Sequence, residues 1–177
     1  MAIKRLDSVG RKFLQDREGL RLTAYNNGDK WTIGYGNTYY KDGTPVKRGD
    51  KITQAQAETL FNDILVEFEN DVSKLVIPAQ LTQNQFNSLV SYSYNRGSYR
   101  FANTKLLDMV IANPNNPNIR KQFEIEWGTA TKFKTALINR RKLEAELYFT
   151  GGSASQTASA STWLFGALFL GAILSKK

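Results

Sequence analysis

Glu18 is followed directly by glycine, and after it come Ala24-Tyr25, Asn27-Gly28-Asp29 and the run Thr32-Ile33-Gly34-Tyr35-Gly36. Leu6, Val9, Phe13 and Leu14 fall at helical spacing and the pattern stops at Gly19, which places Glu18 at a helix C-terminus. A carboxylate there faces the negative end of the helix dipole, which disfavours its ionised form and suits it to proton donation. Strands just after it would line a cleft and set hydroxyl and amide groups opposite the acid. On spacing alone a plainer alternative stands beside this one: Glu18 pairs on the surface with Arg17 or Arg21, and the glycines merely turn the chain.

Composition narrows the chemistry further. The 177 residues include no histidine and no cysteine. Thiol nucleophiles, Ser-His-Asp triads, disulfides and zinc sites built on imidazole or thiolate are thereby excluded, and acid/base work falls mainly to carboxylates. No metal and no cofactor is expected. Gly34 and Gly36 lack the third glycine, the Gly-Lys-Ser/Thr ending and the following helix start that a phosphate loop needs. The formal net charge is +8, and beyond Thr150 the only charges are Lys176 and Lys177, so the surplus belongs to the body of the chain. Such a surplus favours an anionic partner, whether nucleic acid, membrane surface or cell-wall polymer. Tyr25, Trp31, Tyr35, Tyr39, Tyr40, Tyr92, Tyr94 and Tyr99 could stack on bases or on sugar faces. No nucleic-acid motif accompanies them, and nucleic acid is not expected as a partner.

The elements that must position these groups are readable from periodicity. After the first helix, residues 22–46 turn aromatic and β-branched, punctuated by Asn27-Gly28 and Asp42-Gly43, and predict a small antiparallel sheet. Thr53 and Gln56 sit in capping-box positions before the stripe Ala57, Leu60, Phe61, Ile64, Leu65, Phe68, Val72 and Leu75, a long amphipathic helix ended by Pro78. Thr82 and Gln85 repeat the box before a helix closing near Gly97. Helices are predicted around 106–111, over 118–127 and over 134–149. The fold class is α+β, a small sheet followed by a helical lobe in one domain over 1–150, with a Gly/Ser/Ala/Thr linker over 151–162 and a hydrophobic tail helix over 163–177. No cleavable signal peptide is expected at the start, where charges interrupt every apolar run. The tail's apolar run spans about 18 Å as helix against a hydrocarbon core of about 30 Å, but uncharged residues before it could lengthen the span. A membrane anchor is expected there, held by Trp163 and the two terminal lysines, with Ala167 and Gly171 permitting close helix contacts.

The run 18–25, Glu-Gly-Leu-Arg-Leu-Thr-Ala-Tyr, with 31–36, Trp-Thr-Ile-Gly-Tyr-Gly, resembles the active-site signature of the phage-type lysozymes (endolysins), the glycoside hydrolase family typified by T-even phage lysozyme. Residues 81–91 continuing to Asn95-Arg96-Gly97 resemble the family's central helix, and Asn139-Arg140-Arg141 with Glu144 and Glu146 resembles its arginine-rich last helix. The similarity runs in order over about 6–152. It implies a lysozyme-like fold and cleavage of the β-1,4 bond between N-acetylmuramic acid and N-acetylglucosamine in bacterial peptidoglycan. Glu18 would be the general acid. Thr32 matches the threonine that helps hold the attacking water, and Tyr25, Tyr35 and Asn95 would contact substrate. An arginine of the last helix pairs with the acid in this family, Arg140 being the better candidate and Arg141 the other. On spacing alone the two arginines equally suit a solvated helix face near Glu144.

One position departs from the family pattern. Asn27 stands where an aspartate is usual, and the stretch from Glu18 to Thr32 is one residue shorter. Asn27 cannot act as a base but could orient a water by hydrogen bonding, while Asp29 is the alternative for this second catalytic position. Loss of the carboxylate also opens a transglycosylase outcome, in which the muramic acid 6-hydroxyl attacks and leaves an anhydro sugar. Two rivals are a wall-binding or structural virion protein with a degenerate site and a membrane-lesion protein acting through the tail. The expected setting is phage-encoded, at the periplasmic face of the host inner membrane or in a virion membrane.

Overall fold

The computed structural model describes residues 4–126 and 134–151. Its elements, in chain order, are α1 (Ser8–Glu18), β1 (Arg21–Asn27), β2 (Lys30–Gly34), α2 (Gln54–Leu75), α3 (Gln83–Arg96), α4 (Ser98–Ala102), α5 (Lys105–Ala112), α6 (Ile119–Ile125) and α7 (Lys134–Phe149).

Local chemistry sets the ends of these elements. Asp7 caps α1 by accepting from the Gly10 amide, and Gly19 closes it at φ 66°. Full capping boxes open α2, with Thr53 and Gln56, and α3, with Thr82 and Gln85, so donors that a helix start leaves unpaired are satisfied by side chains. β1 and β2 pair antiparallel, with Asn27 opposite Lys30, so that Gly28 and Asp29 form the two-residue turn. Gly28 supplies the positive φ, 71°, that such a turn demands.

The ladder stops at Gly34, short of the sheet the composition suggested through residue 46. Beyond it the chain makes only isolated bridges, Ile33 with Asn37, Tyr39 with Pro45 and Thr23 with Lys51. Pro45 has no amide proton to extend a ladder, and Gly34, Gly36 and Gly43 take positive φ values that bend the chain out of it. The short helix α4 was not evident in the sequence, because five residues are too few to show a period.

The core lies between α2, α3 and the later helices. Leu14 of α1, Phe61, Leu65, Phe68 and Val72 of α2, Phe86, Leu89 and Val90 of α3, and Phe101, Leu106, Val110, Phe123 and Tyr148 pack into one apolar cluster. A smaller cluster of Ile33, Val46 and Leu60 seats the hairpin on α2. α3 runs through the centre, with α1, α2, α4 and α7 against it.

The membrane expectation needs correction. The tail 163–177 and the linker beyond Gly151 lie outside the described residues, as do Trp127 and Gly128. Among the described residues no helix is long and apolar enough to cross a membrane. The last described helix, α7, turns a charged face inward instead, with Arg140, Arg141 and Glu144 buried in ion pairs. The membrane partner and membrane location are corrected accordingly, since the described residues offer no helix that could provide them, and the hydrophobic tail helix expected over 163–177 lies outside those residues.

Candidate active site

Glu18 is the last residue of α1, and Gly19 turns the chain sharply into β1. This places the carboxyl between the hairpin on one side and α3 with α7 on the other, and only 3% of the residue is exposed. The surface pairing that spacing alone allowed is not what forms: Arg17 stacks over Phe13 and Arg21 over Tyr25. The partner of Glu18 comes instead from far along the chain, as Arg140 Nη2 donates to Oε1 at 2.8 Å. Oε2 lies on the side of Gly36, where an added Cβ would stand 3.5 Å from it. That separation is an ordinary contact, but Gly36 has φ 94°, so a side chain there would be strained.

The hairpin offers one face to this carboxyl. Thr32 pairs with Tyr25 and Lys30 with Asn27, and residues opposite one another or two apart in an antiparallel pair project to the same side. Tyr25, Asn27, Lys30 and Thr32 therefore share a face. Thr32 is wholly buried, and its hydroxyl has no hydrogen-bond partner among the described residues. Tyr25 is half-buried; burial and then the Glu18 charge raise its hydroxyl above the ordinary value, which marks its nearness to the acid. Asn27 is exposed further along the same face, whereas Asp29 is exposed in the turn outside the ladder.

On the opposite side, α3 and α7 meet through a polar layer. Arg140 and Glu144 are four residues apart and Arg141 and Glu144 three apart, so all three lie on one helix face. That face meets Ser88, Ser91 and Asn95, which share a side of α3. Glu144 Oε1 accepts from Arg140 Nε at 3.0 Å and from Ser91 Oγ at 2.9 Å, and the Glu144 carbonyl accepts from Ser88 Oγ at 2.6 Å. Glu144 Oε2 forms an ion pair with Arg141 Nη1 at 2.7 Å. Arg141 Nη2 donates to Asn95 Oδ1, and its guanidinium lies 4.4 Å from the Tyr92 ring centroid. The solvated helix face that spacing also allowed for the two arginines is excluded, since Arg140 is 8% exposed and Arg141 and Glu144 are fully buried.

Burial is the largest influence on the Glu18 carboxyl and raises its pKa. Arg140 opposes the rise through its charge and its hydrogen bond, and the Glu144 charge adds to it. The outcome is a carboxyl more readily protonated than an exposed glutamate, yet oriented by a cation.

Tyr35 and Asn95, two expected substrate contacts, also make contacts within the protein. The Tyr35 ring packs in the core 4.9 Å from Phe61, while its carbonyl accepts from Tyr94 Oη at 2.9 Å, tying the Gly34–Gly36 turn to α3. The Asn95 amide oxygen is engaged by Arg141. Sequence reasoning passed over Glu144, Ser88 and Ser91 as parts of this cluster. The available signal was the spacing of Ser88, Ser91 and Asn95, three small polar residues along one side of a helix that also carries Phe86, Leu89, Val90 and Tyr92. Among the described residues no group of acidic side chains is placed to hold a metal ion.

Comparison with known proteins gives this geometry a lineage. The family profile described as Phage lysozyme matches residues 15–144, from just before Glu18 through Glu144. The chain belongs to the phage lysozyme family. Within the family it is 31% identical to the endolysin of Bacillus phage B103 over 88% of its length, and 31% identical to that of Bacillus phage PZA over 82%. It spans 58% and 55% of those two relatives. Among solved structures, an endolysin from Escherichia coli O157:H7 phage FAHEc1 superposes with a TM-score of 0.77 at 31% identity, covering 87% of this chain and 99% of that one. The muramidase domain of SpmX from Asticaccaulis excentricus superposes with a TM-score of 0.71 at 27% identity, covering 82% and 98%. Glu18 and Arg140, brought together by the fold, both fall within the residues that match the phage lysozyme family.

Proposed function

We propose that this chain is a peptidoglycan-cleaving lysozyme acting on the β-1,4 bond between N-acetylmuramic acid and N-acetylglucosamine, with residues 1–150 as the catalytic unit. The observation that carries the reading is the buried Glu18 carboxyl, with Oε1 held by Arg140 and Oε2 beside the Gly36 backbone. Glu18 acts as general acid from Oε2, giving its proton to the departing glycosidic oxygen as the bond to the anomeric carbon breaks. A water adds to the oxocarbenium-like sugar and releases its own proton to solvent. Thr32 and Asn27, on the hairpin face beside Tyr25, orient that water by hydrogen bonding, and the relatives named endolysin and muramidase support the substrate class.

Zymography on purified cell walls with the wild type and Glu18→Gln tests this reading. Clearing by the wild type and loss of clearing by the variant is the expected result. Equal clearing by both rejects Glu18 as the acid, and no clearing by either favours a wall-binding protein without activity.

The second position favours one further reading. Asn27 offers no carboxylate, and Asp29 points from an exposed turn outside the ladder, so the muramic acid's own 6-hydroxyl is a competing nucleophile. Mass spectrometry of the released fragments separates the outcomes, since hydrolysis gives products heavier by one water than the anhydro sugars of a transglycosylase.

A further inference from the structure

Arg140, Arg141, Glu18 and Glu144 form a buried set of two cations and two anions, each contacting at least one group of opposite sign. A general acid must carry its proton before the reaction begins. Once Glu18 is neutral, the set holds two guanidiniums and a single carboxylate in a place from which water is largely excluded. An uncompensated buried charge is strongly unfavourable, so protonating Glu18 is easy only if Arg140 keeps another counter-ion. Glu144 meets that need geometrically. It reaches Arg140 through Nε while Glu18 is held through Nη2, so one guanidinium serves both carboxylates on different edges. It also pairs with Arg141, and Ser91 steadies its Oε1.

We propose that Glu144 is a positioning residue for the reaction: as the lasting counter-ion of Arg140 and Arg141 it lets Glu18 hold a proton, and through Nε it aims the Arg140 fork at Oε1. This rests on the assignment of Glu18 as general acid. Glu144 acts through Arg140 and touches no substrate. The charged and titratable groups that surround the pair are Arg17 from α1, Tyr25 from β1, Tyr92, Tyr94 and Arg96 from α3, and Arg140 and Arg141 from α7, with Asp16, Glu126 and Glu146 acting on these neighbours. Burial lifts the three tyrosine hydroxyls above their ordinary value, Tyr92 to about 12, so they stay neutral. Burial lowers Arg141 only to about 10, so it stays charged near neutral pH.

The test is the pH profile of kcat and KM on soluble peptidoglycan fragments for the full chain and its variants. Activity through a protonated acid falls as pH rises through that acid's pKa. Glu144→Gln removes a like charge from Glu18 and leaves both arginines to it, so the alkaline limb of kcat moves to lower pH by about one unit while KM holds. Glu144→Asp keeps the charge but shortens the reach to Nε, so the limb stays in place and kcat falls. A Glu144→Gln limb that does not move, or a Glu144→Asp limb that moves as far, overturns the proposal. Should Glu144→Gln alone fail to fold, Arg141→Met combined with it keeps the buried charges balanced; a smaller acid-ward shift is expected there, because the Arg141 charge that opposes Glu144 at Glu18 is lost as well, and its absence counts equally against the idea. Glu18→Gln separates the two levels: if it still cleaves, the assignment of the acid has failed, whereas an inactive Glu18→Gln with an unmoved Glu144→Gln limb overturns this inference alone.

Discussion

α2 and α7 both pack against α3, yet they bury opposite chemistries. α2 turns in Ala57, Leu60, Phe61, Leu65, Phe68 and Val72, an ordinary apolar stripe. α7 turns in Arg140, Arg141 and Glu144 before it reaches Ala145, Leu147 and Tyr148. Apolar burial is worth about 25 cal/mol for each Å² removed from water, so α2 needs no further reason for its composition. A buried ion cluster is different, because replacing it with apolar residues of similar volume is often neutral or stabilising. The charges of α7 are therefore poorly explained by stability and better explained by the Glu18 carboxyl that Arg140 reaches from the far side of the cluster. One helix holds the fold, and the other holds the acid.

The largest effect that tests this division should come from α2. Leu65 is 1% exposed in the main core. Leu65→Ala removes buried methyl groups and leaves a cavity, which should cost about 2–5 kcal/mol of stability by urea denaturation. Activity per folded molecule should stay near that of the wild type. A variant that is folded but inactive would mean that α2 shapes the site as directly as α7 does.

A smaller effect should appear in the pH dependence of stability, and it probes the α7 side. The folded Glu18 carboxyl lies above its ordinary value, chiefly through burial. Between about 4.3, the usual value in an unfolded chain, and the folded value, the native state binds more protons than the unfolded state. The stability linked to the neutral carboxyl is therefore present below that window and is lost as pH rises through it. Glu18→Gln does not titrate, so it should gain on the wild type as pH is raised across the window and then keep a constant lead. Urea midpoints measured at several pH values give the comparison; a gap indifferent to pH would show that α7 offsets the burial completely.

What was legible in the sequence follows the same divide. The α2 stripe, both capping boxes, the Gly19 stop and the Asn27-Gly28 turn are local signals, and each element they announce is present. The extent of the sheet was not legible, because Gly34, Gly36 and Pro45 break a ladder that the aromatic and β-branched residues alone would have continued. Nor was the burial of Arg140, Arg141 and Glu144. Their spacing on a helix is the same whether the face meets solvent or α3, and only the serine stripe of a distant helix decides between the two. Spacing singled out Glu18, and resemblance to a family decided for it over the surface pairing and supplied the arginine pair; Glu144 lay within the quoted segment, but its place in the cluster needed the fold.

The smallest effect concerns the exception within α2. Glu69 is a buried charge on the apolar helix, and if burial of charge alone marked functional chemistry, it should matter as the α7 cluster does. Its surroundings argue otherwise. Oε1 accepts from the Leu6 amide at 2.8 Å, and Oε2 accepts from Arg5 Nη1 at 3.0 Å, so the carboxylate ties the start of the chain to α2. The Arg5 side chain is 45% exposed, and its guanidinium also donates to Asn70 at 3.0 Å. Only the Arg5 end of this pair is open to solvent, since Glu69 is 1% exposed, so its worth lies between that of an exposed pair and that of a buried one. Arg5→Ala leaves the Leu6 amide on Glu69 but takes away its cation, so it should lower stability by about 1–2 kcal/mol and leave the pH profile of cleavage unmoved. A shifted profile in Arg5→Ala would instead place the α2 charge in electrical contact with the acid, and the separation between the two helices would fail at its most accessible point.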